Sequence, residues 1–308
     1  MRSFLIKISF LITFFLVAVL AIEVFLRNVS NNYSLKYQQI ERQKNNIEVL
    51  LFGDSHCLYG LNPKYFHQQA FNLSNVSQTV YFDQLLFNQY VDQLPKLKQV
   101  VFCIEYTNLS QLDNTGEDGW RKFFYARFMH LKVPNISPLD PRNHLIVLTQ
   151  KPYKIRDLIK RYVKTKSILD CDVNGWGNNY TKDKRIQPDE VAAERAKIQE
   201  DGLVDFSVNS QRLQSMIDHC KQKGIQVLIV SMPQTRIYER YLNQEKLRKI
   251  VKTCQSFEQK NPGVAYYLNL FADPRFSDED FYDADHLNDQ GAKKASKIVD
   301  EFLHKISK

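Results

Sequence analysis

Hydrophobic residues fall into one long run and several short ones. Residues 4–26 are almost continuously apolar. Five later runs have strand length: 47–53, 70–73, 99–104, 225–230 and 264–270. Apolar residues recur at helical spacing over 77–94, 207–223, 236–260 and 289–306. Strands that alternate with helices predict a five-stranded parallel sheet covered on both faces, a three-layer α/β/α fold with right-handed crossovers.

The first apolar run is long enough to cross a bilayer, with Lys7 and Glu23 near its ends. Arg2 and Lys7 favour a cytoplasmic amino terminus, although Arg27 weakens that bias. The alternative is a cleavable signal peptide, for which Val19-Leu20-Ala21 is a poor cleavage site. We favour a single-pass anchor over residues 1–27, followed by a polar stalk over 28–46. In either case the remainder is exported, and nucleic acid is a poor fit as a partner.

Residues 47–308 form the predicted α/β domain, interrupted by an insertion at about 107–205 that contains five prolines and few strand signals. We expect the insertion to pack over the mouth of the site. Trp120 and Trp176 could stack on a sugar ring there, although packing within the insertion is the plainer account.

A basic segment, Lys151–Lys166, lies within the insertion, with apolar residues on one helical face. Three interpretations remain open: a solvated helix, a segment drawn to anionic lipid headgroups, or a docking site for an anionic envelope polymer. The net charge of +8 supports an anionic partner only weakly.

Candidate chemistry begins where the first strand ends, at Gly53-Asp54-Ser55. Glycine permits a sharp exit from the strand, and serine then lies at the carboxyl end of the sheet, where open α/β folds bind ligands. A second motif, Asp283-Ala284-Asp285-His286, precedes the last helix. A carboxylate three residues before a histidine can orient its imidazole as the base that a weakly acidic serine needs. Each motif alone is also typical of an ordinary polar turn.

Together the two motifs resemble the SGNH (GDSL-type) hydrolase family, over roughly residues 47–306. The resemblance implies a flavodoxin-like fold and hydrolysis or transfer of acyl esters, without a metal or other cofactor. Ser55 would be the nucleophile, His286 the base and Asp283 its orienter. The family's second block has a glycine where this chain has Phe71–Asn75, so the oxyanion donors would be amides at Ser55, Ser74 or Asn75. Its third block is replaced by Cys103–Asn108, where Asn108 is a candidate donor and Thr107 another.

Two functions remain open. One is a serine esterase or O-acyltransferase on the outer face of a bacterial cytoplasmic membrane, acting on acyl groups of a cell-envelope glycan or another envelope ester. For transfer, a membrane acyl-donor protein is an expected partner. The other is a binding or accessory protein in envelope polysaccharide modification that retains the fold with little turnover. His56 is expected only to line the pocket, and no histidine, cysteine and carboxylate cluster has metal-ligand spacing.

Overall fold

A computed structural model describes residues 1–113 and 118–307. Its strands are β1 (Val49–Phe52), β2 (Ala70–Asn72), β3 (Gln99–Cys103), β4 (Gln226–Ser231) and β5 (Ala265–Asn269). Its α-helices are α1 (Arg2–Asn28), α2 (Asn32–Gln43), α3 (Ser55–Gly60), α4 (Val80–Tyr90), α5 (Arg121–Phe128), α6 (Pro141–His144), α7 (Pro152–Thr165), α8 (Pro188–Gln199), α9 (Ser207–Lys223), α10 (Arg236–Tyr241), α11 (Gln244–Lys260) and α12 (Asp289–Ile306).

The five strands form one parallel sheet in the order β2-β1-β3-β4-β5. This is the flavodoxin-like order, with its switch point between β1 and β3. The predicted α/β fold with five parallel strands, preceded by a long apolar helix, is therefore confirmed. Since the strands are parallel, the segments after β1, β3, β4 and β5 all leave the same edge of the sheet.

Side chains of successive strand residues point to opposite faces, so the largely apolar strands bury both, completely in β1 and β3 and less so in the edge strand β5. On one face, Val49 and Leu51 pack in a core with Ala295, Val299 and Leu303 of α12. On the other, Phe52 stacks on Phe102, with ring centroids 5.3 Å apart. Both faces are therefore sealed, and the exposed carboxyl edge is where polar chemistry can lie.

The chain divides into two compact units. Unit 1 comprises Met1–Ser34 and Glu117–Leu169, and unit 2 comprises Leu35–Gly116 and Asp170–Lys308. All five strands lie in unit 2. The segment predicted as a polar stalk contains α2, whose Lys36 and Ile40 are completely buried. The Lys36 ammonium donates a hydrogen bond to the carbonyl of Ser74, and burial lowers its pKa to about 8.

The predicted helix over 236–260 is two helices, which corrects the sequence-based expectation. Leu242 is extended, and the side chain of Asn243 accepts hydrogen bonds from the amides of Glu245 and Lys246. Asparagine is among the strongest helix N-caps because its side chain satisfies amides that the first turn leaves unpaired. The apolar periodicity continues across this boundary and therefore conceals it.

Gly53 makes the exit from β1. Its φ is +143°, and a Cβ placed there would lie 2.9 Å from Cys103 Cβ and 3.0 Å from Cys57 Cβ. Both neighbours are buried, so neither can move aside without disturbing the core.

Gly53→Ala is expected to lower the free energy of unfolding by about 1–3 kcal/mol, since it adds backbone strain to a steric clash. Urea unfolding of the full chain measures this change. Gly224→Ala is a control with less effect: φ is +69° there, but no atom lies within 4 Å of the added carbon. Equal losses for the two variants would contradict the steric argument.

Candidate active site

Ser55 is the first residue of α3 and follows the glycine exit from β1. Asp54 caps this helix by accepting a hydrogen bond from the amide of His56 at 2.9 Å. The Ser55 amide lies in the first turn, where helix N–H groups have no intrahelical acceptor. The serine is half-buried, whereas the residues on both sides of it are buried.

His286 lies in the loop between β5 and α12. The Asp283 carboxylate shapes this loop, because its Oδ1 accepts hydrogen bonds from the amides of Asp285 and His286 at 3.1 and 2.8 Å. Thr235, after β4, donates its hydroxyl to the carbonyl of Ala284 at 2.7 Å. The loop that carries the histidine is therefore fixed from within and from the neighbouring strand's end.

The three residues singled out from the two motifs form one hydrogen-bonded chain. Ser55 Oγ lies 2.8 Å from His286 Nε2. On the other side of the ring, Nδ1 lies 3.1 and 3.2 Å from the two carboxylate oxygens of Asp283. This geometry suits transfer of the hydroxyl proton to an oriented imidazole. The catalytic roles themselves stay a prediction.

A second carboxylate, Asp285, adjoins the same imidazole and is absent from the sequence-based site. Its Oδ1 lies 3.3 Å from His286 Nδ1. Arg195 of α8 binds both of its oxygens at 3.0 Å, and Gln199 donates to Oδ2 at 2.7 Å. His286 Nδ1 thus has Asp283 at 3.1 Å, Asp285 at 3.3 Å and the Arg195 guanidinium at 3.2 Å.

His56 is built into the same cluster instead of merely lining a pocket. Its ring stacks on that of His286, with centroids 4.5 Å apart and planes 11° from parallel. Its Nδ1 lies 3.0 Å from Asp54 Oδ1, and its Nε2 lies 3.4 Å from Asp285 Oδ2. A buried imidazole between two carboxylates is favoured in its charged form.

The pKa shifts follow from this arrangement. Burial disfavours charge on His56, but Asp54 and Asp285 outweigh it and hold its pKa well above the ordinary 6.5. Burial opposes ionisation of Asp285 as well, yet His286 and His56 hold its pKa well below 3.8. For His286, burial lowers the pKa, while Asp285 and Asp283 more than compensate and raise it. The cluster therefore favours the imidazolium that would form when His286 accepts a proton.

Two acidic side chains outside the motifs have raised pKa values. Burial raises the pKa of Glu105, after β3, to about 8, and that of Asp83 in α4 to about 7. Glu105 Oε1 accepts the amide of Met232 at 2.8 Å. A largely neutral Glu105 limits the negative charge gathered around His56.

The residues proposed as oxyanion donors are partly engaged elsewhere. The Ser74 amide donates to Asn72 Oδ1 at 2.9 Å, so it does not point into an open site. Asn108 donates its side-chain amide to Asp54 Oδ2 at 3.2 Å. Asn75 is buried, and its side-chain amide lies 3.4 Å from Gln78 Oε1. Among the candidate oxyanion donors, the backbone amides of Ser55 and Asn75 therefore remain without a hydrogen-bond acceptor in the described residues.

Aromatic residues of the predicted insertion support the site within unit 2. Tyr180 lies between the rings of Tyr59 and Tyr282, at centroid distances of 3.8 and 3.9 Å, and meets His286 edge-on at 5.4 Å. Trp176 donates its indole N–H to the carbonyl of Tyr59 at 2.8 Å. These contacts are packing contacts, since both faces of Tyr180 are already covered.

Within the described residues, one group has donor atoms close enough to hold a metal ion: His56, Asp285 and His286. The Arg195 guanidinium occupies the carboxylate that a cation would need. Charge repulsion from this arginine makes the cluster a poor cation site, and the donor set fits proton transfer better.

Serine reactivity is expected to increase with pH, through an apparent pKa above 6.5, because only neutral His286 accepts the hydroxyl proton. The rate of covalent modification by a fluorophosphonate, measured between about pH 5 and 9, tests this. Asp285→Asn should move the midpoint downward, since it removes the carboxylate that raises the pKa most. A rate independent of pH over this range would contradict a histidine base.

Similarity to known proteins is found with one family model and with solved structures. A family model of unknown function matches residues 189–308. No curated protein matches. A solved structure described as "a putative platelet activating factor from Streptococcus pneumonia" shares 10% identity, covering 96% of this chain and 99% of its own, with a TM-score of 0.43.

Proposed function

We propose that this protein is a serine-dependent esterase or O-acyltransferase of the SGNH type. The observation that supports this most is the contact between Ser55 Oγ and His286 Nε2, 2.8 Å long, with the Asp283 carboxylate on the opposite ring nitrogen. The two motifs lie 231 residues apart in the chain, so their meeting at one sheet edge is not a consequence of local turn structure.

In the proposed reaction, Ser55 Oγ attacks the acyl carbon while its proton passes to His286 Nε2. The Ser55 amide at the start of α3, aided by that of Asn75, would donate hydrogen bonds to the resulting oxyanion. Collapse of the tetrahedral intermediate breaks the ester bond, and His286 returns its proton to the leaving alcohol. Water or a sugar hydroxyl then attacks the acyl-enzyme by the same steps in reverse, giving hydrolysis or transfer.

The proposed substrate is an acylated cell-envelope glycan. Among the described residues, one helix near the amino terminus is apolar and long enough to cross a membrane, a property that a signal sequence shares. Its presence supports an exported, single-pass protein with the α/β domain on the outer side of a bacterial cytoplasmic membrane. An acyl-donor protein of the membrane would be the partner if the reaction is transfer.

A catalytically weak accessory protein is the second candidate. The engaged amides of Ser74 and Asn108 favour it, because they leave fewer donors for an oxyanion. Loss of one such donor costs about 10²–10³ in rate. A protein that only binds its ligand would need the fold and a binding surface, but no catalytic turnover.

Labelling of the full-length protein in detergent by a fluorescent fluorophosphonate separates the two candidates. We expect labelling that Ser55→Ala abolishes and that the matched Ser256→Ala, a change in α11, leaves intact. Absence of labelling in a protein whose unfolding transition is intact would favour the accessory role.

A further inference from the structure

Unit 1 encloses the end of α1 at the level where its apolar run stops. Glu23 is 3% exposed and accepts hydrogen bonds from the amides of Ile146 and Val147 at 3.1 and 2.8 Å. Arg27 pairs with Glu23 at 2.5 Å and donates to the carbonyl of His144. The segment after α6 is therefore attached to the outer end of the apolar helix by charged and backbone groups.

The length of the apolar helix determines where this attachment lies relative to the membrane. From Phe4 to Val24, α1 rises about 30 Å, which matches the hydrocarbon thickness of a bilayer. Glu23 and Arg27 then lie at the headgroup level when the helix spans the membrane. Everything in unit 1 that packs against this end of α1 lies close to the same level.

Helix α7 packs there. Its Tyr162 meets Phe25 of α1 edge-on, with ring centroids 5.2 Å apart. Ile155 is buried, and Leu158 and Ile159 are half-buried, so the apolar face of α7 is turned toward the protein. The opposite face is exposed and carries Arg156, Lys160 and Lys164, together with one acidic residue, Asp157, which pairs with Arg156 at 3.1 Å.

Exposed apolar side chains accompany the positive charge. Val163 is 64% exposed on α7, and Leu139 and Leu148 in the preceding segment are 92% and 48% exposed. Cationic residues mixed with exposed apolar ones are typical of segments that lie in the membrane interface.

We propose that the exposed face of α7, together with Leu139 and Leu148, docks onto the anionic headgroups of the bilayer that α1 crosses. Two observations select lipid as the occupant. Tyr162 holds α7 against Phe25, at the level where the membrane-crossing helix leaves the bilayer, and the charge of the exposed face is complementary to an anionic surface. This docking is independent of the Ser55 chemistry and would hold for the accessory protein equally.

Full-length protein reconstituted in vesicles tests the proposal. An environment-sensitive dye on V163C reports contact with lipid, because all five native cysteines are buried. Vesicles of phosphatidylcholine are compared with vesicles in which roughly one lipid in four is phosphatidylglycerol. We expect quenching by spin-labelled lipid in the anionic vesicles and much less in the neutral ones.

The variant R156Q/K160Q/K164Q should reduce the ratio of docked to undocked α7 on the order of 100-fold, because each lysine or arginine near an anionic surface contributes about a factor of five. The control R248Q/K252Q/K260Q removes three exposed charges from α11 and should leave the quenching unchanged.

Equal quenching in neutral and anionic vesicles would overturn the proposal, as would equal losses in the two variants. If the dye stays in water with both kinds of vesicle but responds to soluble dextran sulfate, the ligand of this face is an anionic polymer and not lipid.

Discussion

For the proposed esterase, His286→Ala is expected to reduce the rate of ester hydrolysis by on the order of 10⁵–10⁶-fold. The serine hydroxyl then has no acceptor for its proton, and its nearest ring nitrogen, 2.8 Å away, is lost. Hydrolysis of a chromogenic acetyl ester by the full-length protein measures the effect. The imidazole acts on the chemical step, so kcat should fall while KM changes little.

His219→Ala is the matched control. His219 is half-buried and pairs with Asp92 in unit 2 at 3.0 Å, but it contacts no residue of the candidate site. Its loss should leave the rate within about twofold, as for surface substitutions in general. Equal rates for wild type and His286→Ala would refute the triad.

The second large effect is expected from Asp285→Asn, which should lower the free energy of unfolding by about 3–5 kcal/mol. The Asp285 side chain has no exposed surface and lies against Arg195, His56 and His286. Without the carboxylate, the guanidinium and the His56 imidazole are left facing each other, with much of their surface removed from water. Urea unfolding at pH 7, followed by circular dichroism, measures the loss.

Glu279→Gln provides the comparison. Glu279 also pairs with an arginine, Arg185, but its side chain is 61% exposed. Solvent screens such pairs, so its removal should hardly change the unfolding transition. If the two variants lost the same free energy of unfolding, burial would not be the reason that the Asp285 cluster stabilises the fold.

The fold was accessible from sequence because its strands are buried on both faces. The uniformly apolar run Val49–Phe52 can be read as a strand without knowing its partners, and the glycine after it marks its end. The predicted limits of α9 and α12 were also correct. Gly224, with φ +69°, ends α9, and Asn288 caps the start of α12. The break at Asn243 was missed because capping depends on a side-chain rotamer, whereas apolar spacing does not register it.

The site was only partly accessible. Ser55, Asp283 and His286 belong to short motifs and come together because parallel strands share a carboxyl edge. Arg195 lies in α8, a helix without a pronounced apolar face, and only the tertiary structure brings it to Asp285. The adjacent pair Asp285-His286 was visible in the sequence, but neighbouring residues usually point apart, so the second carboxylate gave no signal. The oxyanion turn depends on individual hydrogen bonds, such as that of Ser74 to Asn72, which composition cannot predict.

The buried ammonium of Lys36 ties α2 to the carbonyl of Ser74, one residue from the candidate oxyanion donor Asn75. A protease that cut the chain between α2 and β1 would therefore do more than separate two fragments. Departure of α2 would remove the hydrogen bond that holds the Ser74 carbonyl and would expose the surface against which Lys36 and Ile40 are buried. If the protein is the proposed membrane-anchored esterase, a cut at that point would weaken the turn beside the candidate oxyanion donor, so a soluble fragment made to test activity should begin at about Asn31.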